Sequence, residues 1–209
     1  MDRNTAGIIL AGGQSSRMGR DKAFLPLPGV HPTTFSARLA TLLLTTCQEV
    51  LLVARDAEQA EQCSLSLPSS LRTTVRVITD RVVQIGPLMG LYSGLSAMHA
   101  SQALVTAVDT PFLQPALLNF LLEQSRVHPE QLLVPIVEDI PQVLLAIYPR
   151  HILPILEARL AEGRRDPRAL LQGTSVIKIP EAQLRIFDPQ LRSFINLNTP
   201  EDFSSYIHD

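Results

Sequence analysis

Short runs dominated by Ile, Val and Leu recur along the chain: Gly7 to Leu10, Val50 to Val53, Val75 to Ile78, Leu104 to Val108, Leu132 to Val137 and Val143 to Ile147. They are apolar without strict alternation, which predicts strands buried on both faces. Between them the spacing changes to a helical one. Thr33 to Thr46 brings Phe35, Leu39, Leu42 and Leu43 to one side, and Pro115 to Arg126 does the same with Leu117, Leu118, Leu121 and Leu122. Leu88 to Ala100 repeats Leu91, Leu95 and Met98 behind Pro87, a favourable first helical residue. Strands alternating with helices imply right-handed crossovers and an α/β fold: three layers, doubly wound, with a mostly parallel sheet. We read residues 1–209 as a single domain.

Two local signals modify this picture. Pro135, Pro141 and Pro149 crowd one stretch, so at least one strand there is short, bent or at an edge. Thr199-Pro200-Glu201-Asp202 supplies an N-cap, a proline at the first helical position and acids in the first turn, predicting a last helix through about Ile207.

Composition narrows the class. Of 209 residues 45% are apolar and 18% charged, and the formal net charge is -2, which suits a packed globule with no basic field for nucleic acid. Cys47 and Cys63 are the only cysteines, too few for a disulfide framework or a structural zinc site, and read as reduced thiols. None of the five histidines stands at ligand spacing from another His or a Cys. No stretch approaches a membrane span and the N-terminus lacks a signal-peptide layout, so the expected location is the cytoplasm, away from membranes.

The most telling segment runs from the end of the first strand into the loop after it: Leu10-Ala11-Gly12-Gly13-Gln14-Ser15-Ser16-Arg17-Met18-Gly19-Arg20-Asp21-Lys22. Gly12 and Gly13 let backbone N–H groups approach an anion, Arg17 offers a planar fork, and Lys22 a compact charge. A P-loop is absent, because Met18 stands where its second glycine belongs, and no glycine lies two positions after Gly12 or Gly13 for a dinucleotide motif. Two carboxylates end apolar runs in the same manner, Asp80 after Val75 to Thr79 and Asp109 after Leu104 to Val108. In an open parallel sheet such tips face the ligand crevice. A strand-tip Asp beside a phosphate site suits Mg²⁺, though Asp109 also reads as the cap of the following turn and Asp80 as a loop acid.

The loop resembles that of nucleotidyltransferases that activate small phosphorylated molecules, and the chain as a whole resembles the molybdenum cofactor guanylyltransferases. The match continues, in order, through Asp80, Gly86-Pro87-Leu88-Met89-Gly90, Val108-Asp109-Thr110-Pro111-Phe112 and Phe194-Ile195-Asn196-Leu197-Asn198-Thr199-Pro200-Glu201-Asp202. The resemblance implies a Rossmann-like nucleotidyltransferase fold that transfers GMP from GTP to molybdopterin and releases pyrophosphate. It implies GTP contacts from Leu10, Ala11, Gly12, Gly13, Lys22, Asp80 and Asp109, catalytic roles for Lys22, Asp109 and Arg17, and Mg²⁺ on Asp109. Asn196 and Asn198 fall on the pterin phosphate side, although Asn198 and Thr199 also read as a helix cap. Molybdoenzyme maturation proteins are candidate partners.

Two departures stand out. Val53-Ala54-Arg55-Asp56 lacks the asparagine often found after the second strand, and Gln142-Val143-Leu144 lacks an expected proline. Arg164, Arg165 and Arg168 read as a solvated basic cluster or as a receiver of the pterin phosphate. A CTP- or sugar-phosphate-specific transferase and a non-catalytic nucleotide-binding regulator are the alternative functions, and Gly12, in Leu-Ala-Gly-Gly where cytidylyl relatives tend to Leu-Ala-Ala-Gly, favours guanine by resemblance.

Overall fold

The first apolar run forms the middle of a sheet. Thr5–Leu10 (β1) is buried at every residue and is flanked on both sides by parallel neighbours. The computed structural model describes residues 4–12, 21–27 and 33–197. After β1 come the short pair β2 (Pro26–Leu27) and β3 (Thr33–Thr34), then α1 (Phe35–Leu44), β4 (Glu49–Ala54), α2 (Ala57–Ser66), α3 (Ser69–Arg72) and β5 (Val75–Thr79). The second half runs α4 (Pro87–Ala97), β6 (Gln102–Ala107), α5 (Pro115–Val127), β7 (Leu132–Val137), β8 (Ile140–Pro141), β9 (Leu145–Pro149), α6 (Leu153–Ala161), β10 (Val176–Ile179) and α7 (Glu181–Phe187).

The sheet order is β5-β4-β1-β6-β9-β7-β10, with β8 paired to β7. In that row β9 alone runs against its neighbours β6 and β7, so the sheet is mixed but mostly parallel. Successive side chains of β1 explain its composition. Ile9 points into one core with Phe35, Leu39 and Leu43 of α1, Cys63 of α2, Leu117 and Leu121 of α5 and Leu184 of α7. Ile8 and Leu10 point into the other, with Leu88, Leu91 and Leu95 of α4 and Leu156 of α6. A strand sandwiched in this way has no polar face to alternate.

Helix α4 lies close over β1. A Cβ at Gly94 would come within 2.8 Å of Ile8 Cγ2, nearer than carbon atoms pack. Gly94→Ala is therefore expected to destabilise the protein by about 1–3 kcal/mol despite the better helix propensity of alanine, read as a lower urea midpoint. An unchanged midpoint would show that α4 shifts freely on the sheet.

Three sequence expectations need correction. The run Val75 to Ile78 is an edge strand, in which Arg76 is exposed and bonds to Glu49 at 3.1 Å across the neighbouring strand. Charge on an edge discourages pairing with other chains. The strand expected over Val143 to Ile147 is displaced to β9, because Val143 and Leu144 form the turn that enters it and accept bonds there from Tyr148 Oη (2.6 Å) and Ala107 N (3.0 Å). Third, α4 ends at Ala97, short of Ala100. The prolines do mark irregularity: β7 pairs with β9 only at Leu133, before Pro135, and Pro141 sits in the two-residue β8. The helix expected after Pro200 lies outside the described residues.

Candidate active site

Strand order reverses direction at β1, with β4 and β5 on one side and β6 and β9 on the other. Beyond the carboxyl ends at such a point an α/β sheet leaves a crevice. The ladder here extends past the strands, with Ala11 N donating to Val53 O (2.9 Å) and Val108 N to Leu10 O (3.0 Å). Gly12 and Asp109 come directly after these residues. Both line a cavity of 520 Å³ together with Leu10, Ala11, Lys22 and Asp80. All six of these candidates thus face one space.

Lys22 reaches it through a single 3₁₀ turn, Lys22–Phe24, whose N-cap Asp21 accepts a hydrogen bond from Ala23 N at 3.1 Å. Lys22 Nζ lies 3.4 Å from Asp109 Oδ2, and both side chains are largely buried. The other oxygen of Asp109, Oδ1, is buried without a hydrogen-bond partner among the described residues. A buried carboxylate oxygen left so is costly unless a cation or donor meets it.

Asp80 repeats the pattern from the end of β5. Its N–H is held by Ala54 O at 2.8 Å, and its Oδ1 is likewise buried and unpartnered among the described residues. Gly12 and Gly90 flank the carboxylate, and a Cβ at either would meet one of its oxygens at 3.4 Å, an ordinary contact. Burial pushes Asp80 up to about 7, against its ordinary 3.8, with the nearby Ser93 hydroxyl offsetting part of the rise. The folded protein therefore holds this proton where the unfolded chain has released it. Stability falls as pH rises through the window from about 4 to about 7. Asp80→Asn, which has no charge to bury, is expected to unfold at a higher temperature than the parent at about pH 8 and at the same temperature near pH 4. A melting series across that range checks the sign, and no gain at the alkaline end would remove the burial penalty.

The turn before α4 needs a glycine. Gly86 adopts φ 104°, the left-handed side, while Arg165 O accepts the Leu88 N–H at 2.9 Å to close the helix start. Arg165 lines the main cavity. Arg168 instead lines an adjoining cavity of 230 Å³ with Gln142 and Asn196, and pairs with Asp166 at 2.8 Å. Arg164 is exposed beside Glu162. The three arginines read as one cluster are therefore divided between two cavities and solvent. Asn196 is held near the main site because the next residue, Leu197, donates its N–H to Asp109 O at 2.9 Å. Gly13, Arg17 and Asn198 lie outside the described residues.

The sequence profile described as the MobA-like NTP transferase domain matches residues 7–179. A protein named probable molybdenum cofactor guanylyltransferase from Methanosarcina mazei is 32% identical over 205 residues, 97% of this chain and 89% of its own length. Another of that name from Chloroflexus aggregans is 35% identical over 207 residues, covering 94% and 90%. The chain belongs to the molybdenum cofactor guanylyltransferase family. Its fold agrees with the solved structure of molybdopterin-guanine dinucleotide biosynthesis protein A from Archaeoglobus fulgidus, at a TM-score of 0.81 and 28% identity over 97% of each chain.

Membership makes the chain a nucleotidyltransferase, a class that generally works with a divalent metal. No three His, Cys, Asp or Glu side chains gather among the described residues. Of the two carboxylates that line the cavity, Asp109 stands beside Lys22 with an unpartnered oxygen, which fits a hard cation completed by phosphate oxygens and water. Neither thiol offers a covalent route for this guanylyltransferase family member. Burial pushes Cys47 up to about 11 and Cys63 up to about 12, the latter helped by Asp21, so both stay protonated. No helix among the described residues is long and apolar enough to cross a membrane.

Proposed function

We propose that this protein transfers GMP from GTP to the terminal phosphate of molybdopterin, forming the guanine dinucleotide form of the molybdenum cofactor. An acceptor phosphate oxygen attacks the α-phosphorus, the bond from that phosphorus to the β-bridging oxygen breaks, and pyrophosphate leaves. Such a reaction needs positioning and charge neutralisation rather than a protein nucleophile. We take residues 1–209 as one nucleotidyltransferase domain and, from its two free buried thiols, place it in the cytoplasm.

One observation carries the reading: the Lys22–Asp109 pair and the buried acid Asp80 open on one cavity at the end of β1. Ala11 and Gly12 bring backbone close to the triphosphate, and Lys22 supplies a fixed positive charge for it. Asp109 is the residue to hold Mg²⁺, whose charge, when bound, neutralises phosphate oxygens. Gly13 and Arg17 are assigned to the same phosphates by resemblance. Asn196, which lines the adjoining cavity, is assigned with Asn198 to the acceptor side by resemblance.

Asp80 gives the base preference a physical reason. Guanine presents two parallel donors, the ring N1–H and the exocyclic amine, which a carboxylate accepts together. Satisfying the unpartnered Oδ1 also favours the ionised acid. Displacement of a fluorescent GTP analogue tests this choice. GTP should compete best, ITP (which lacks the amine) about tenfold less well, and CTP least. Stronger competition by CTP would overturn the guanine reading.

A further inference from the structure

Gln59 is fully buried, a rare position for a glutamine. It lies in the first turn of α2, three residues after the N-cap Asp56, whose Oδ1 accepts the Gln59 N–H at 2.8 Å. The side-chain amide reaches three places. Its carbonyl accepts Arg55 N–H at 2.8 Å, and its Nε2 donates both to Ala11 O at 3.0 Å and to Asp21 Oδ2 at 2.5 Å. The Arg55 contact fixes which end of the amide is which. Both amide hydrogens are then directed at residues on either side of 12–20.

Those two residues matter because of what adjoins them. Ala11 lines the cavity, and Asp21 caps the turn that carries Lys22 to it. Arg55 strengthens the same joint by pairing with Asp21 at 3.1 Å. We propose that Gln59 is a positioning residue for the phosphate half of the site, fixing Ala11 and the Lys22 turn to each other before the triphosphate arrives. It does not line the cavity. Without it, ordering those groups is charged against binding, so affinity for phosphate falls while the base end at Asp80 is untouched. This rests on the nucleotide reading above.

The test compares two fragments of the nucleotide on the full chain: inorganic tripolyphosphate and guanosine, each measured by calorimetry. Gln59→Leu should bind tripolyphosphate about tenfold more weakly and guanosine as the parent does. Equal tripolyphosphate binding by parent and variant would overturn the proposal. Parallel loss of both ligands by a folded variant would also overturn it, by making Gln59 a general structural support. No tripolyphosphate binding by the parent would instead sink the nucleotide reading. Should Gln59→Leu not fold, Gln59→Glu keeps the carbonyl for Arg55 and sets a second carboxyl against Asp21. Its tripolyphosphate affinity relative to the parent should recover as pH falls and the new acid is protonated. A ratio independent of pH would contradict the clamp.

Discussion

Replacing Asp109 by asparagine is expected to lower pyrophosphate release from GTP by about 10³-fold while leaving a folded protein. The fold should survive because the structural work at this position is done by backbone: Asp109 O receives the Leu197 N–H. The side chain is of the same shape as asparagine, and its buried Oδ1 has no partner among the described residues to lose. What disappears is the negative charge that offsets Lys22 and would hold a divalent cation. Turnover should no longer respond to added Mg²⁺, whereas metal-free binding of guanosine should persist. Initial rates across a Mg²⁺ titration, with a melting curve as the control, decide the matter. Retention of more than about a tenth of the parent rate would remove Asp109 from the mechanism.

Lys22→Met is expected to cut kcat by about 10²-fold. Methionine keeps the apolar stem that crosses the cavity wall and removes only the ammonium. Charge on the triphosphate grows toward the leaving pyrophosphate as the reaction proceeds, so a cation fixed there acts on the rate more than on binding. Lys22→Arg should recover only part of the loss, because the planar guanidinium is wider than the point charge beside Asp109. Steady-state kinetics with GTP varied separate these effects. A rise in KM with kcat unchanged would mean that Lys22 serves binding alone.

The strands of the sheet centre were legible because burial on both faces leaves an unbroken apolar run, as in β1 and β6. The same signal misled at Val143 and Leu144, where a buried and a half-buried residue belong to a turn and not to a ladder. α2 was missed because its buried side is narrow, with only Gln59 and Cys63 inside, so no apolar stripe marks it. α7, β10 and α6 are short and bury a single residue each. At the site, Lys22, Asp80 and Asp109 could be picked out because each closes or follows a segment with a recognisable turn chemistry. Gln59 could not. Its partners Ala11 and Asp21 lie 48 and 38 residues away, and the only local hint was the Asp-x-x-Gln spacing of a capped helix. The division of Arg164, Arg165 and Arg168 was equally out of reach, since it depends on how the turn after α6 meets Gly86.

The most direct measurement follows the labelled α-phosphate of GTP in the presence of Mg²⁺ and molybdopterin. Label should move onto the pterin as a GMP adduct, with one pyrophosphate released per adduct, and should not move when CTP replaces GTP. Label found only as free GMP, or release of pyrophosphate that does not depend on the pterin, would contradict guanylyl transfer by this site.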